Sequence, residues 1–246
     1  MLEARGVQFK YRVAGSAGPV FELGPLSFRL SDGEALSIIG TSGCGKSTML
    51  RLLSGALRAS AGTVQFGQMN LATLSDSVAA RLRRTSVGVI HQDYSVLPFL
   101  TVEENVTLAS RLEGRRPADV GEVLGEFGMA HLRNRPVATL SGGQQQRVAI
   151  ARAVYQGAEL LLCDEPTGAL DAITAEAVTG ALYRSLTLGV RGLIISTHDL
   201  ALASKADRVL VMSEGQIGSV LTDPDPSSLL SELRHHADLA PHMTSG

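Results

Sequence analysis

The chain has 246 residues, enough for one well-filled α/β domain, and carries a net charge of -2 from 22 Lys+Arg against 24 Asp+Glu. That balance, with 4% aromatic residues and no Trp, argues against nucleic acid as a ligand, because such binders use cationic surfaces and stacking rings. No apolar run approaches the roughly 18 residues that span a bilayer, Met1–Arg5 does not open like a secretory signal, and the two cysteines, Cys44 and Cys163, suit a reducing compartment better than a disulfide.

Residues 1–39 read as short strands, with Ala14–Pro19 as a flexible loop between them. The stretch Ala35–Ile39 has the length and branching of a buried strand. Gly40–Ser47 follows it as Gly-Thr-Ser-Gly-Cys-Gly-Lys-Ser, and Thr48–Leu53 continues as a helix with an apolar face. Strand, glycine-rich loop and helix in this order form a phosphate-binding loop. Gly40, Gly43 and Gly45 let the backbone turn its N–H groups inward, Lys46 adds charge near the β- and γ-phosphates, and Ser47 offers a hydroxyl to Mg2+.

From about residue 93 to 157 the pattern is helical. Val120, Val123, Leu124 and Phe127 share one helical face, with Pro117 suited to the first turn. In Leu140–Gln144, Ser141 is placed to cap the helix that runs through Val154, and two glycines expose amides at its positive end. This is a second anion cradle without a lysine, or simply a well-capped helix. Glu159–Glu165 is an apolar run ending in two carboxylates, as in a buried parallel strand that delivers charge at its C-terminal edge. Consecutive strand residues face opposite ways, so Asp164 is expected to approach Mg2+ and Glu165 the attacking water. His198 follows the apolar strand Leu193–Ile195. No long regulatory domain is expected beyond about residue 218, and His235–His236 is expected to be a solvated pair.

Six motifs in order carry a resemblance. They are the phosphate loop, Gln92 within Val89–Asp93, Leu140–Gln144, Asp164–Glu165, Asp171 within Gly168–Asp171, and His198 within Ser196–Asp199. Over residues 2–218 the chain resembles the ATP-binding cassette family. The resemblance implies a single α/β domain of the phosphate-loop (RecA-like) type, with an N-terminal antiparallel β subdomain, an inserted α-helical subdomain at about 93–157 and a short tail from about 219. It implies an ATPase that takes ATP and Mg2+, pairs head to tail with a second copy of itself, and drives transmembrane permease subunits from the cytoplasmic face of the cell membrane.

On that resemblance, Gly40, Thr41, Ser42, Gly43, Cys44, Gly45, Lys46, Ser47 and Thr48 wrap the phosphates, and Ser47, Gln92 and Asp164 serve the metal. Glu165 is the general base, His198 meets the γ-phosphate, and Ser141, Gly142, Gly143 and Gln144 close on the nucleotide of the other copy, with Asp171 nearby. Tyr11 matches the aromatic that stacks on adenine, although an aromatic near the end of an edge strand also serves as core. The membrane partner is expected beside Gln92, at Tyr94–Phe99.

The long loop after Tyr11, the segment Leu97–Val106 and the run Asp164–Asp171 resemble the group that includes lipoprotein-release, macrolide-efflux and cell-division ATPases. That implies an exporter or a system that moves an external domain. Solute-importer ATPases share most of these residues, and a soluble cassette for cofactor or iron–sulfur assembly fits the length. A chromosome-organising type is disfavoured, because no sustained heptads separate Ser47 from Ser141. Finally, Cys44 lies at a helix N-terminus beside Lys46, so a reactive thiolate is expected there, open to alkylation and shielded by MgATP, the alternative being a thiol enclosed by the loop and slow to react.

Overall fold

The computed structural model describes residues 1–11, 21–113 and 119–239, with side chains to residue 236. The expected loop at Ala14–Pro19 and the first-turn role of Pro117 lie outside the described residues. The chain forms two compact units, one from Met1–Ala80 with Ile194–Gly246 and the other from Arg81–Leu193.

The first unit opens with β1 (Leu2–Tyr11) and β2 (Phe21–Leu30), antiparallel and ten residues each, longer than the sequence suggests. In β1 the buried positions Leu2 and Ala4 give way to Val7, because a register shift between Ala4 and Val7 resets which face is inward. β3 (Glu34–Gly40) runs into α1 (Lys46–Leu53), and β4 (Ala61–Phe66) and β5 (Met69–Asn70) complete an antiparallel sheet of order β2-β1-β4-β5. This sheet is the N-terminal antiparallel part expected from the resemblance.

After α2 (Asp76–Thr85), which crosses the boundary between units, the second unit contains β6 (Val87–Ile90), α3 (Val102–Leu112), α4 (Val120–Glu126), α5 (Gly142–Tyr155), β7 (Leu160–Asp164) and α6 (Ala172–Ser185). β6 and β7 pair in parallel. α3–α5 supply the expected helical stretch, and Val120, Leu124 and Phe127 are buried as one face. α3 starts with a capping box, Thr101 accepting from Glu104 N while the Glu104 carboxylate accepts from Thr101 N.

β8 (Gly192–Ser196) crosses back, followed by α7 (Leu200–Ala203), β9 (Arg208–Ser213), β10 (Gln216–Thr222) and α8 (Pro226–Leu239). In the first unit β3 pairs in parallel with β9, and β9 pairs antiparallel with β10, so the sheet is mixed. Residues 219–239 therefore hold the end of a strand and a packed helix. His236 is not solvated with His235: its Nε2 lies 3.4 Å from Ser219 Oγ and 3.7 Å from the Glu232 carboxylate, in space left by the missing side chain of Gly218.

Leu229 of α8 is fully buried against Ile39, Ala203, Val209 and Val211, which ties this helix to the strand that leads into the phosphate loop. Leu229→Ala removes three carbons from a site with no room to collapse, and is expected to cost about 3 kcal/mol of stability. Urea unfolding followed by circular dichroism checks this. A loss below about 1 kcal/mol would show that α8 is not part of the cooperative core.

Candidate nucleotide site

The phosphate loop is built by backbone crowding. β3 is buried on both faces and delivers Gly40 at its end. A Cβ on Gly40 would lie 2.2 Å from Met212 O and 2.7 Å from Cys44 Sγ, so no other residue fits where the loop leaves the sheet. Gly43 and Gly45 then adopt left-handed angles, φ 81° and 106°, which turn the amides inward. A Cβ on Gly43 would point into open space, so the cradle is open on that side.

α1 begins at Lys46 behind Gly45, with no side-chain cap and no acidic residue in its first turn. Its leading amides therefore meet no carboxylate of their own helix, which suits them to phosphate oxygens. Lys46 Nζ reaches back over the loop to Gly40 O at 2.8 Å and Thr41 O at 3.3 Å. Thr41, Ser42, Gly43 and Ser47 are exposed, and Thr48 is half-buried. The loop fits a triphosphate, with Ser47 available to a cation.

Three more features of the first unit border this loop. Tyr11 packs edge-on against Phe9, with ring centres 4.8 Å apart, and lies 6.2 Å from Phe21. Phe21 in turn sits against the loop: a Cβ on Gly45 would be 2.9 Å from its ring and 2.5 Å from Leu23. Phe21 is missing from the sequence reading. Its signal was its parity with the apolar Leu23 on one strand face. Thr197 N donates to Ile38 O, which sets exposed His198 beside the strand end that precedes Gly40.

In the second unit the parallel register pairs Ile90 with Cys163, so β6 and β7 release Gln92 and Asp164–Glu165 from neighbouring ends. The point where a Cβ on Gly168 would sit is 3.5 Å from Gln92 Nε2 and 3.6 Å from Glu165 Cβ, which brings the glutamine and the expected base together. Glu165 holds a left-handed backbone, φ 48°, unusual for a non-glycine residue and a mark of a constrained site.

Ser141 caps α5 in a capping box: its Oγ accepts from Gln144 N at 3.4 Å, and Ser141 N donates to Gln144 Oε1 at 3.0 Å. The capped-helix reading thus holds. The glycines answer to packing, since a Cβ on Gly143 would lie 2.0 Å from Thr174 Cγ2 and one on Gly142 would lie 2.5 Å from the Tyr94 hydroxyl. Asp171 caps α6, accepting from Thr174 N and from the Thr174 hydroxyl, and these bonds hold its carboxyl below the usual range.

A glycine-lined loop on a buried strand, a lysine across it and carboxylates at another strand end define a phosphate-loop nucleoside triphosphatase. The ABC transporter family profile matches residues 23–168, and the chain belongs to that family. It is 37% identical over 246 residues to the macrolide export ATP-binding/permease protein MacB of Nitrosomonas europaea, covering 98% of this chain and 37% of that protein. It is also 38% identical over 221 residues to the MacB of Shigella flexneri, covering 88% and 34%. The chain thus spans about a third of the length of these relatives.

Among solved structures, the ATP-binding cassette MJ0796, a dimer in a post-hydrolysis state bound to ADP and Pi, superposes with a TM-score of 0.80 at 28% identity, over 91% of this chain and 99% of that one. CbiO1 of Clostridium perfringens, part of the transporter complex cbiONQ, gives 0.80 at 26% identity, over 98% and 95%. The chain is an ATPase with the cassette fold, and its substrate is MgATP.

Cys44 departs from expectation. Its thiol is buried at 4% exposure, turned toward Gly40 and not toward solvent. Burial pushes the thiol pKa up, and the opposing pull of Lys46 is weaker. Cys163, wholly buried on β7, is pushed up further. The thiolate is therefore scarcer at neutral pH than in a free cysteine, and Cys44 is expected to react with iodoacetamide at least about tenfold more slowly in the folded chain than in urea, between pH 7 and pH 8. Mass-spectrometric timing of the label gives the measurement, and equal rates in both conditions would contradict the burial.

Proposed function

We propose that the chain is the ATP-hydrolysing subunit of a transporter, working as a pair of cassettes that drives a membrane permease of the exporter or mechanotransmission type. The observation that carries this reading is the presence of two unlike anion cradles. The phosphate loop has Lys46, whereas the capped start of α5 offers Ser141 and glycine amides with no cation and no acid in its first turn. The second cradle is too weak to hold a nucleotide alone, and it gains a purpose when it closes on the γ-phosphate held by a second copy.

Within that reading Lys46 and the loop amides bind the polyphosphate, and Tyr11, backed by Phe9 and Phe21, stacks on the base. Ser47, Asp164 and Gln92 hold Mg2+, which when bound neutralises charge on the β- and γ-phosphates. Glu165 accepts the proton of the attacking water, and His198 orients that water against the γ-phosphate. Ser141, Gly143 and Gln144 of the second copy donate to the developing charge, with Asp171 ordering α6 behind them.

No helix among the described residues is long and apolar enough to cross a membrane, and the reading assigns the membrane work to a permease part. The loop Tyr94–Phe99 is a suitable socket: Phe99 is 93% exposed and Leu97 45%. It is also firmly held, since buried Asn105 accepts from Leu97 N and donates to Leu97 O and Thr101 O. An apolar surface on a rigid loop suits docking to a cytoplasmic segment of a membrane subunit. The export assignment draws support from the MacB relatives, and within it the chain works at the cytoplasmic face of the membrane.

Lys46→Ala is expected to lower ATP turnover by about 10²-fold or more, the scale of removing one preorganised donor to phosphate charge. Phosphate release by the purified chain checks this, and wild-type rates would overturn the assignment. Glu165→Gln is expected to keep ATP affinity while slowing hydrolysis at least about 10²-fold, as for loss of a general base. An ATP-bound dimer should then accumulate on size-exclusion chromatography with light scattering. A strictly monomeric profile at high protein concentration would remove the composite site.

A further inference from the structure

Between β6 and α3 the chain makes a turn whose shape the binding chemistry alone does not require. Tyr94 and Ser95 both lie in the left-handed region, φ 64° and 45°. Non-glycine residues keep that conformation only where their surroundings hold them. Here the surroundings are largely α5. Fully buried Gln146 donates through Nε2 to His91 O at 3.4 Å, and Arg152 donates through Nη1 to Ser95 O at 2.8 Å. At the start of the helix the Tyr94 hydroxyl occupies the space that a side chain on Gly142 would need.

Arg152 is the unusual member of this strap. Its side chain is half-buried, burial lowers its pKa, and among the described residues no carboxylate pairs with it. Tying a half-buried charge to one exposed backbone carbonyl is a poor way to gain stability. It is a good way to fix a turn, because a charged donor holds its acceptor in place more strongly than a neutral one.

We propose that Arg152 is a positioning residue. Together with Gln146 and Tyr94 it binds the 91–95 turn along α5, so that Gln92 on the turn and Ser141–Gln144 at the helix start move as one body. Loss of the strap then slows hydrolysis through misplacement of the capped helix start, without weakening the phosphate loop. This inference rests on the reading above that Ser141 acts on the nucleotide of a second copy.

The test is steady-state ATPase on the full chain. Arg152→Ala is expected to lower kcat roughly tenfold, the scale of one charged hydrogen bond, with KM for ATP within about twofold. The double variant Arg152→Ala/Ser141→Ala should be no slower than Ser141→Ala alone, whereas a merely structural loss would multiply with it. Arg152→Lys, which keeps a donor, should recover most of the rate.

A second route does not depend on the folding of the alanine variant. Gly142→Ala should slow turnover by colliding with the Tyr94 hydroxyl, and adding Tyr94→Phe, which removes the oxygen, should restore part of the rate. Multiplicative losses in the Arg152/Ser141 pair, wild-type kcat in Arg152→Ala, or no recovery in the Gly142/Tyr94 pair would overturn the proposal. Wild-type turnover in Ser141→Ala alone would instead overturn the reading on which it rests.

Discussion

The structure depends on one crowded passage, where the backbone leaves β3 at Gly40 against the carbonyl of Met212 on β9. The contact is possible only without a side chain, and it sets the direction from which the phosphate loop begins. An inward-facing row of amides needs left-handed turns and a rigid base. The first come from Gly43 and Gly45, the second from Leu36, Ile38 and Ile39, all fully buried. α8 contributes to that base through Leu229, so the end of the chain supports the strand beneath the loop. A binding surface of backbone amides has no side chains to adjust, and its accuracy is inherited from packing beneath it.

Helix starts sort the remaining polar chemistry. α6 and α7 begin with Asp171 and Asp199, whose carboxylates already satisfy the first amides. Those ends would repel phosphate. α1 and α5 lack acids in their first turns, and α5 is capped by a neutral serine. The distribution of negative charge among these four helix starts leaves two of them compatible with an anion, by the interaction of the helix dipole with charge at its end. The charge on Asp171 has a structural use, since it holds Thr174, which packs against Gly143.

The proposed catalytic groups of the second unit are placed by strand register. Because β6 and β7 run parallel with Ile90 opposite Cys163, residues two beyond that pair emerge at similar height, and Gln92 comes to lie near Glu165. The left-handed backbone of Glu165, like that of Tyr94 and Ser95, is an outlier tolerated beside proposed reaction chemistry. Conformational cost at such places is offset by the packed helices and strands around them.

The phosphate loop, the paired carboxylates on β7, the Ser141 cap and the family itself were legible in the sequence, because each depends on residues close together in the chain. A glycine spacing after an apolar run, a serine before a helix and an acid at a strand end act through local backbone geometry. Tertiary structure alone decided the character of Cys44, which local charge marked as reactive and burial made less so. It also decided that Phe21 backs the loop, that His236 packs on β10, and that Tyr94 and Thr174 crowd the space beside Gly142 and Gly143. Desolvation and close approach depend on atoms brought from distant parts of the chain, and no local pattern records which atoms those will be.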